Sequence, residues 1–350
     1  MAPELPDPLN DEFSRARRPV SPAADAWRRL RRNRMALASL AIICLYTLLT
    51  LAAPVLPIHP YAEQVVAHEN LPPSLRPAGE LMLAARTAYL KEFRASEDRA
   101  EFNPEEQAEL DGMARAIRTD PVHRRYYLLG TDNLGRDMLS RLLYGGRISI
   151  LIGLVGTVTS MLLGIALGSI AGYAGGTLDN MIMRFVDIMY GLPYMLLVII
   201  MMALFGRNIL NLFVAVALIS WITLCRVVRG QIISLKHAEF VEAARSMGAG
   251  PARIIFRHLT PNTLGVIVVF STLMVPQFIM TESFLSFLGL GVSAPLASWG
   301  SLVAEGAGVM SLYPWQLLGP AIAMTVFLFA MNFLGDGLRD ALDPQSRRQV

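Results

Sequence analysis

Two lysines, five histidines, two cysteines and a few acids set in apolar runs are the groups through which this chain could do chemistry, and their spacing excludes most of it. A phosphate-binding loop needs lysine behind glycine-rich backbone and ahead of Ser or Thr. Tyr89-Leu90-Lys91-Glu92 and Ser234-Leu235-Lys236-His237 both fail that pattern. No Gly-x-Ser-x-Gly elbow and no His-Glu-x-x-His is present. Cys44 and Cys225 lack a Cys-x-x-Cys spacing or a companion histidine cluster, so they are expected to be buried small hydrophobes and no metal is expected. His59, His68, His123, His237 and His258 all lie outside the apolar runs, which leaves no histidine relay within them. Catalysis is therefore not expected. Two features remain: the acids Asp187 and Glu282 in or beside apolar runs, and a polar break that contains Glu242-Ala243-Ala244-Arg245-Ser246-Met247-Gly248 and His258-Leu259-Thr260-Pro261-Asn262.

The elements that must position these residues are membrane helices. The chain of 350 residues is 53% hydrophobic and 17% charged, with mean hydropathy +0.44, more apolar surface than one soluble core hides. A net charge of +3 without a basic stripe excludes a nucleic-acid partner. A helix needs roughly 20 apolar residues to cross the hydrocarbon layer. Six runs qualify: Met35 to Leu56, Ile148 to Gly172, Ile188 to Phe205, Ile209 to Cys225, Leu264 to Leu290 and Trp315 to Leu334. The third and fourth are joined by Gly206-Arg207-Asn208, a tight hairpin. Pro193 and Pro276 are expected to mark bends, and Gly164 and Gly168 to allow close helix packing.

Arginine placement orients the spans. Eight arginines from Arg15 to Arg34 precede the first run, and six basic residues (Arg226, Arg229, Lys236, Arg245, Arg253, Arg257) face two acids (Glu239, Glu242) in the polar break. Arg207 is the one basic residue in the short outer turns. Both ends are therefore inside. The domain reading is a cytoplasmic basic tail over 1–34, a first span over 35–56, an extracytoplasmic segment over 57–147, a five-helix core over 148–338 with a cytoplasmic loop at 226–263, and a cytoplasmic tail over 339–350. The first run is too long for a signal-peptide core, and its arginines act with membrane lipid headgroups to hold it in place.

In the outer segment, Asn103-Pro104-Glu105-Glu106 predicts a helix start, with Asn as cap, Pro in the first turn and acids at the positive end of the dipole. That helix runs to about Arg118, an earlier one covers Glu80 to Arg94, and both are read as decoration of the loop, with contact to an extracellular partner the alternative. Thr131 or Asp132 is expected to cap a short interfacial helix with Leu134, Met138, Leu142 and Leu143 on one side. Asp187 is expected to pair with Arg184, and Glu282 to join Gln277, Thr281 and Ser283 or to lie near the outer surface; lining a solute path is the alternative for these acids.

In the polar break, Phe240, Val241 and Ala244 form an apolar side, Gly248 suits a left-handed helix end, and Gly250-Pro251 starts a second helix. A compact helix-glycine-helix order in a charged loop fits a docking surface, with Ala243 and Ala244 small enough for close approach.

Glu242-Ala243-Ala244, three residues, Gly248 and a run ending at Pro261 resemble the loop by which membrane subunits of ATP-binding-cassette (ABC) importers meet their ATPases. His258 and Thr260 before Pro261 are similar to the variant of the peptide and nickel subgroup. Leu129-Gly130-Thr131-Asp132 with Gly135-Arg136-Asp137, Leu285-Ser286-Phe287-Leu288-Gly289-Leu290-Gly291 with Ser298-Trp299-Gly300, and Leu334-Gly335-Asp336-Gly337-Leu338-Arg339-Asp340-Ala341-Leu342-Asp343-Pro344 also match it. The chain resembles a C-type permease of that subgroup, with a longer insertion over 79–125. The resemblance implies an all-α integral membrane protein with six spans in the type I importer permease fold, in a bacterial inner membrane. It implies a homologous second permease, two ATPase subunits holding ATP and Mg, and an extracytoplasmic solute-binding protein, with peptide as cargo and nickel or another small solute as the alternative. Glu242, Ala243, Ala244, Gly248, His258 and Pro261 are the implied ATPase-coupling residues. The rival class, a self-sufficient secondary transporter or channel, needs its own ion site near the midplane, and the sequence offers little for one.

Overall fold

The computed structural model describes residues 22–96, 101–206 and 208–342. The ends of both basic tails, Arg207, and Asp343 and Pro344 of the last motif lie outside the described residues. The elements are helical throughout: α1 (Pro22–Arg32), α2 (Arg34–Ala52), α3 (Ala78–Ser96), α4 (Pro104–Thr119), α5 (Met138–Ala174), α6 (Gly176–Gly191), α7 (Tyr194–Phe205), α8 (Ile209–Leu235), α9 (Glu239–Ser246), α10 (Pro251–Phe287), α11 (Trp299–Val309) and α12 (Trp315–Leu342). Five of these, α2, α5, α8, α10 and α12, are long and apolar enough to cross a membrane. The sixth span is the pair α6 and α7, bent by 78° at Leu192 and Pro193. Proline supplies no N–H and disfavours helix in the residue before it, which is why the break falls there.

Several boundaries move. Helix α2 ends at Ala52, and within the basic tail α1 is a separate amphipathic helix whose Leu30 packs on Ala36, Leu338 and Ala341. Helix α5 starts at Met138, so no separate interfacial helix precedes the second span. Its cap is Asp137, whose carboxylate accepts from the N–H of Leu139 (3.2 Å) and Ser140 (3.3 Å), and not Thr131 or Asp132. Helix α8 continues to Leu235, which places Arg226 and Arg229 on a helix instead of in a loop. Helix α10 runs from Pro251 through a π-helical stretch at Ile254–Leu259 and through Pro276 without interruption. Between the last two spans, a stretch read as plain loop holds α11, capped by Ser298 accepting from Ser301 N–H at 3.0 Å.

The core lies along α5, α8, α10 and α12. Small residues set the closest crossing: a Cβ on Gly168 would lie 2.5 Å from the Cys225 carbonyl oxygen, and one on Gly164 would lie 2.9 Å from Leu224 Cβ. Only glycine lets α5 and α8 approach this closely. Cys225 is buried at that crossing, as expected, whereas Cys44 is exposed on α2, a surface that apolar solvent covers without cost.

Outside the spans, α3 and α4 form a hairpin pinned by Arg86 to both Glu109 oxygens (2.9 Å each) and by buried Arg94 to Glu106 (2.9 Å). The Glu106 carboxylate also accepts from the Asn103 N–H at 2.8 Å, the expected helix start.

Candidate functional site

Helix α9 lies between the inner ends of α8 and α10. Its amphipathic side works inward: Val241 is buried in a cluster with Leu224, Val228, Ile232, Ile254, Leu259 and Ile267, and Ala244 on the same helix is buried too. Ala244 is 1% exposed, so its small side chain serves the chain's own packing and is not offered to a second surface, a correction to the expected docking set. The helix ends in a pair of crossed bonds, Ala249 N–H to Ala244 C=O (3.0 Å) and Gly248 N–H to Arg245 C=O (2.9 Å). Gly248 takes φ +81°, the left-handed turn that this ending requires.

The outward side is different in kind. Glu242, Ala243, Arg245, Ser246 and Gly248 are exposed, and Met247 is 80% exposed. The Glu242 side chain makes no hydrogen bond or ion pair with the described residues, and a Cβ on Gly248 would meet nothing within 4 Å. Pro261 is exposed in the first turn after the π-helical stretch, and half-buried His258 sits in that stretch, its carbonyl accepting from Asn262 Nδ2 at 2.6 Å. Glu242, Ala243 and Gly248 thus lie on the exposed side of α9, whose opposite face is packed into the inner core, while His258 and Pro261 sit at the entry to α10.

At the outer end the other motif stretches converge. Asp132 is buried and accepts from Leu134 N–H and Arg136 N–H (2.9 Å each), Arg136 Nε (2.6 Å) and Arg141 Nη1 (2.7 Å). Arg141, 2% exposed, also grips both oxygens of Glu305 on α11 at 2.8 and 3.1 Å. Glu282 is fully buried. One of its oxygens accepts from Ser286 Oγ (2.7 Å) and Ser298 Oγ (2.6 Å), and Ser298 caps α11. These partners replace the expected Gln277, Thr281 and Ser283, because those three face elsewhere: Thr281 and Ser283 bond back to carbonyls one turn earlier and Gln277 is exposed. Trp299 completes the plug, its backbone N–H on Ser149 Oγ and its ring N–H on the Leu142 carbonyl, both 3.0 Å. Sequence reasoning named these stretches without seeing that they meet. The signal was available in Ser298 and Ser301, a helix-cap spacing that was not read as one.

Behind the Thr131-Asp132 turn, fully buried His68 bonds through its two ring nitrogens to Tyr127 Oη and His123 Nδ1, each at 2.9 Å. Burial, and next the charge of neighbouring His123, push the His68 imidazole down to about 4. Thr131 Oγ1 donates to the His68 carbonyl and accepts from Leu71 N–H, so the histidine pair backs directly onto the plug.

Asp187 pairs with Arg226 (2.7 Å) instead of Arg184, since α8 extends far enough inward to place an arginine beside it.

The comparisons agree with this layout. A family model described as binding-protein-dependent transport system inner membrane component matches residues 164–348, more than half of the chain, and one described as the N-terminal TM domain of oligopeptide transport permease C matches residues 21–73. The chain is 48% identical over 227 residues to the oligopeptide transport system permease protein OppC of Haemophilus influenzae, covering 65% of this chain and 73% of that one. It is 37% identical over 341 residues to the dipeptide transport system permease protein DppC of Bacillus subtilis, covering 97% and 91%. The inward-facing MetNI methionine ABC transporter has a chain of similar fold, with TM-score 0.50 at 16% identity, covering 59% of this chain and 98% of that one. With six apolar spans, a type I importer permease fold and the family match over its core, this chain belongs to the inner membrane components of binding-protein-dependent ABC transport systems.

Proposed function

We propose that this permease serves an ATP-driven importer of di- and oligopeptides in a bacterial cytoplasmic (inner) membrane, supplying half of the translocation path. Its partners in that reading are a homologous second permease, two ATPase subunits that bind ATP and Mg and hydrolyse the nucleotide, and an extracytoplasmic solute-binding protein that delivers the peptide. The single observation that carries the coupling role is the α9 surface: Glu242, Ala243 and Gly248 are exposed and without side-chain partners among the described residues, on a helix seated against α8 and α10. Closure of the ATPase dimer displaces α9 as a unit, and its seat on both helices carries the displacement into the spans. Glu242 is the polar anchor, Ala243 and Gly248 leave room for the docked surface, and His258 and Pro261 hold the π-helical entry to α10. The peptide cargo is supported by the relatives that are peptide transport permeases.

Gly248→Leu tests it. A side chain at φ +81° costs roughly 1 kcal/mol of local strain and fills the space left for a partner. The variant is expected to insert and accumulate normally while ATP-driven dipeptide uptake is abolished; normal uptake overturns the coupling assignment.

A further inference from the structure

The charges of the outer plug are mostly buried, whereas Asp187 and Arg226 are exposed. They form an ion pair at 2.7 Å with side chains 68% and 39% exposed. Asp187 lies eleven residues above the inner end of α6, and Arg226 lies nine residues before the inner end of α8, about 17 and 14 Å along their axes. That sets both groups in the inner halves of the α6–α7 pair and of α8, on the helices themselves, where a charge turned to lipid is costly. The pair is also unfinished. The Arg226 guanidinium lies over the Tyr190 ring at 4.5 Å and gives one hydrogen bond to one Asp187 oxygen, while its other donors and the second Asp187 oxygen have no partner among the described residues.

The surroundings extend the same polar face. Tyr190 and Tyr194 flank the break at Pro193, and Tyr194 Oη meets Thr281 Oγ1 of α10 at 3.5 Å. Gln277, one turn away on α10, is exposed, as is Thr223 one turn outward of Arg226 on α8. A broken helix with polar groups beside it is the physical setting in which a solute can replace its water shell.

We propose that this face lines the translocation path and that Asp187 and Arg226 are a transient site for the charged termini of a peptide. The free N–H donors of Arg226 take the C-terminal carboxylate, and the free oxygen of Asp187 takes the N-terminal ammonium. An exposed ion pair contributes about 1 kcal/mol or less, so it exchanges partners readily and releases the solute as readily. The site rests on the peptide-importer reading, whereas the placement of the face on a water-filled path does not.

The test uses the complete importer with Cys44 and Cys225 replaced by Ser. Single cysteines at Thr223→Cys and Gln277→Cys are reacted with a charged, membrane-impermeant methanethiosulfonate in inverted vesicles, against Leu162→Cys and Phe329→Cys on exposed apolar faces. Labelling at least ten-fold faster at positions 223 and 277 is expected; equal rates overturn the pathway placement. In the second arm, Arg226→Gln and Asp187→Asn are each expected to lower kcat/KM for dipeptide uptake at least ten-fold, with subunit co-purification and stimulation of ATP hydrolysis unchanged. The double variant Asp187→Arg/Arg226→Asp restores the pair in reverse. Uptake that stays low supports a solute site, and recovery to the parent level reduces the pair to a structural bridge and overturns it. If the parent complex moves no peptide while the labelling difference persists, the peptide reading falls and the water-facing surface stands.

Discussion

The inner surface of α9 and the outer plug are built from similar residues and used in opposite ways. At the outer end, Asp132, Arg136, Arg141 and Glu282 are buried and bond to one another or to their neighbours within the chain, with only Arg141 Nε and Glu282 Oε2 of these side chains buried without a partner among the described residues. At the inner end, Glu242, Arg245 and Ser246 are exposed, and their side chains bond to no described residue. The two regions also sit differently on the spans: the plug ties α5, α10 and α11 to one another, whereas α9 is held by apolar burial on one side only. A matched buried network fixes geometry, because removing any member strands the others in low dielectric. An exposed and unmatched set fixes nothing by itself and is free to be completed by another protein. The polar motifs of this chain therefore divide into residues that hold one state rigid and residues that receive force.

The largest effect tests the first half of that contrast. Arg141→Ala removes the guanidinium that bridges Asp132 and Glu305 at 2.7 and 2.8 Å, leaving Asp132, 3% exposed, with Arg136 as its one cationic partner among the described residues. Breaking a buried pair from one side costs about 3–5 kcal/mol. The variant is expected to lower the thermal midpoint of the purified complex markedly and to reduce its accumulation in membranes. A midpoint equal to the parent's would show that the plug is not a rigid network.

Gly300→Ala should be the next largest. The added methyl would lie 2.4 Å from Ser283 Cα and 2.9 Å from a Glu282 carboxylate oxygen, against backbone that cannot yield easily. Overpacking of this kind costs about 1–3 kcal/mol, and the measurement is the shift in detergent-induced unfolding relative to Gly308→Ala, where the added methyl meets nothing within 4 Å. Equal shifts would remove the claim of close packing at Glu282.

A smaller effect follows from His68. Its imidazole is held neutral in the folded chain, down to about 4 against an ordinary 6.5, so the unfolded segment binds a proton first as pH falls. Stability from this group is full above about pH 6.5, declines as pH drops toward 4 and is then level. A doubly protonated His68–His123 pair also sets N–H against N–H. The thermal midpoint of the outer segment is expected to fall on the order of 3 °C between pH 7 and pH 4.5, and His68→Gln should flatten that dependence. An unchanged slope in the variant would assign the acid sensitivity elsewhere, with Asp120, whose charge acts on His68, the first carboxylate to test.

How much of this was legible depends on range. Spans, the Asn103 helix start, the break at Pro193 and the glycine contacts were legible because each rests on residues near in sequence or on a local rule of backbone chemistry. The partners of Asp187 and Glu282 were not. Arg226 is 39 positions from Asp187 and Ser298 is 16 from Glu282, and local sequence supplied nearer candidates in Arg184, Gln277 and Thr281. The burial of Ala244 was not legible for a related reason: the motif marks it as small, and small residues serve either an outside partner or a crowded core, a choice that only the folded packing decides.

The smallest effect on stability should carry one of the largest effects on function, and it is the sharpest way to break the contrast between the two ends. Ala243 is exposed on α9, between buried Val241 and buried Ala244, and no described residue covers it. Ala243→Leu keeps a strong helix former at a solvent-facing position, so folding stability should change by no more than about 0.5 kcal/mol. Glu242→Gln removes a charge that pairs with nothing described and should be equally neutral. If α9 receives force from an ATPase, both variants will assemble the spans normally, yet Ala243→Leu will lose ATP-driven uptake and Glu242→Gln will weaken it, with ATP hydrolysis no longer stimulated by a loaded binding protein. Loss of uptake together with loss of stability would mean that α9 is part of the packed frame, as the outer plug is. Normal uptake in both would leave the exposed surface without a partner, and the division between rigid and receptive polar motifs would fail at its inner end.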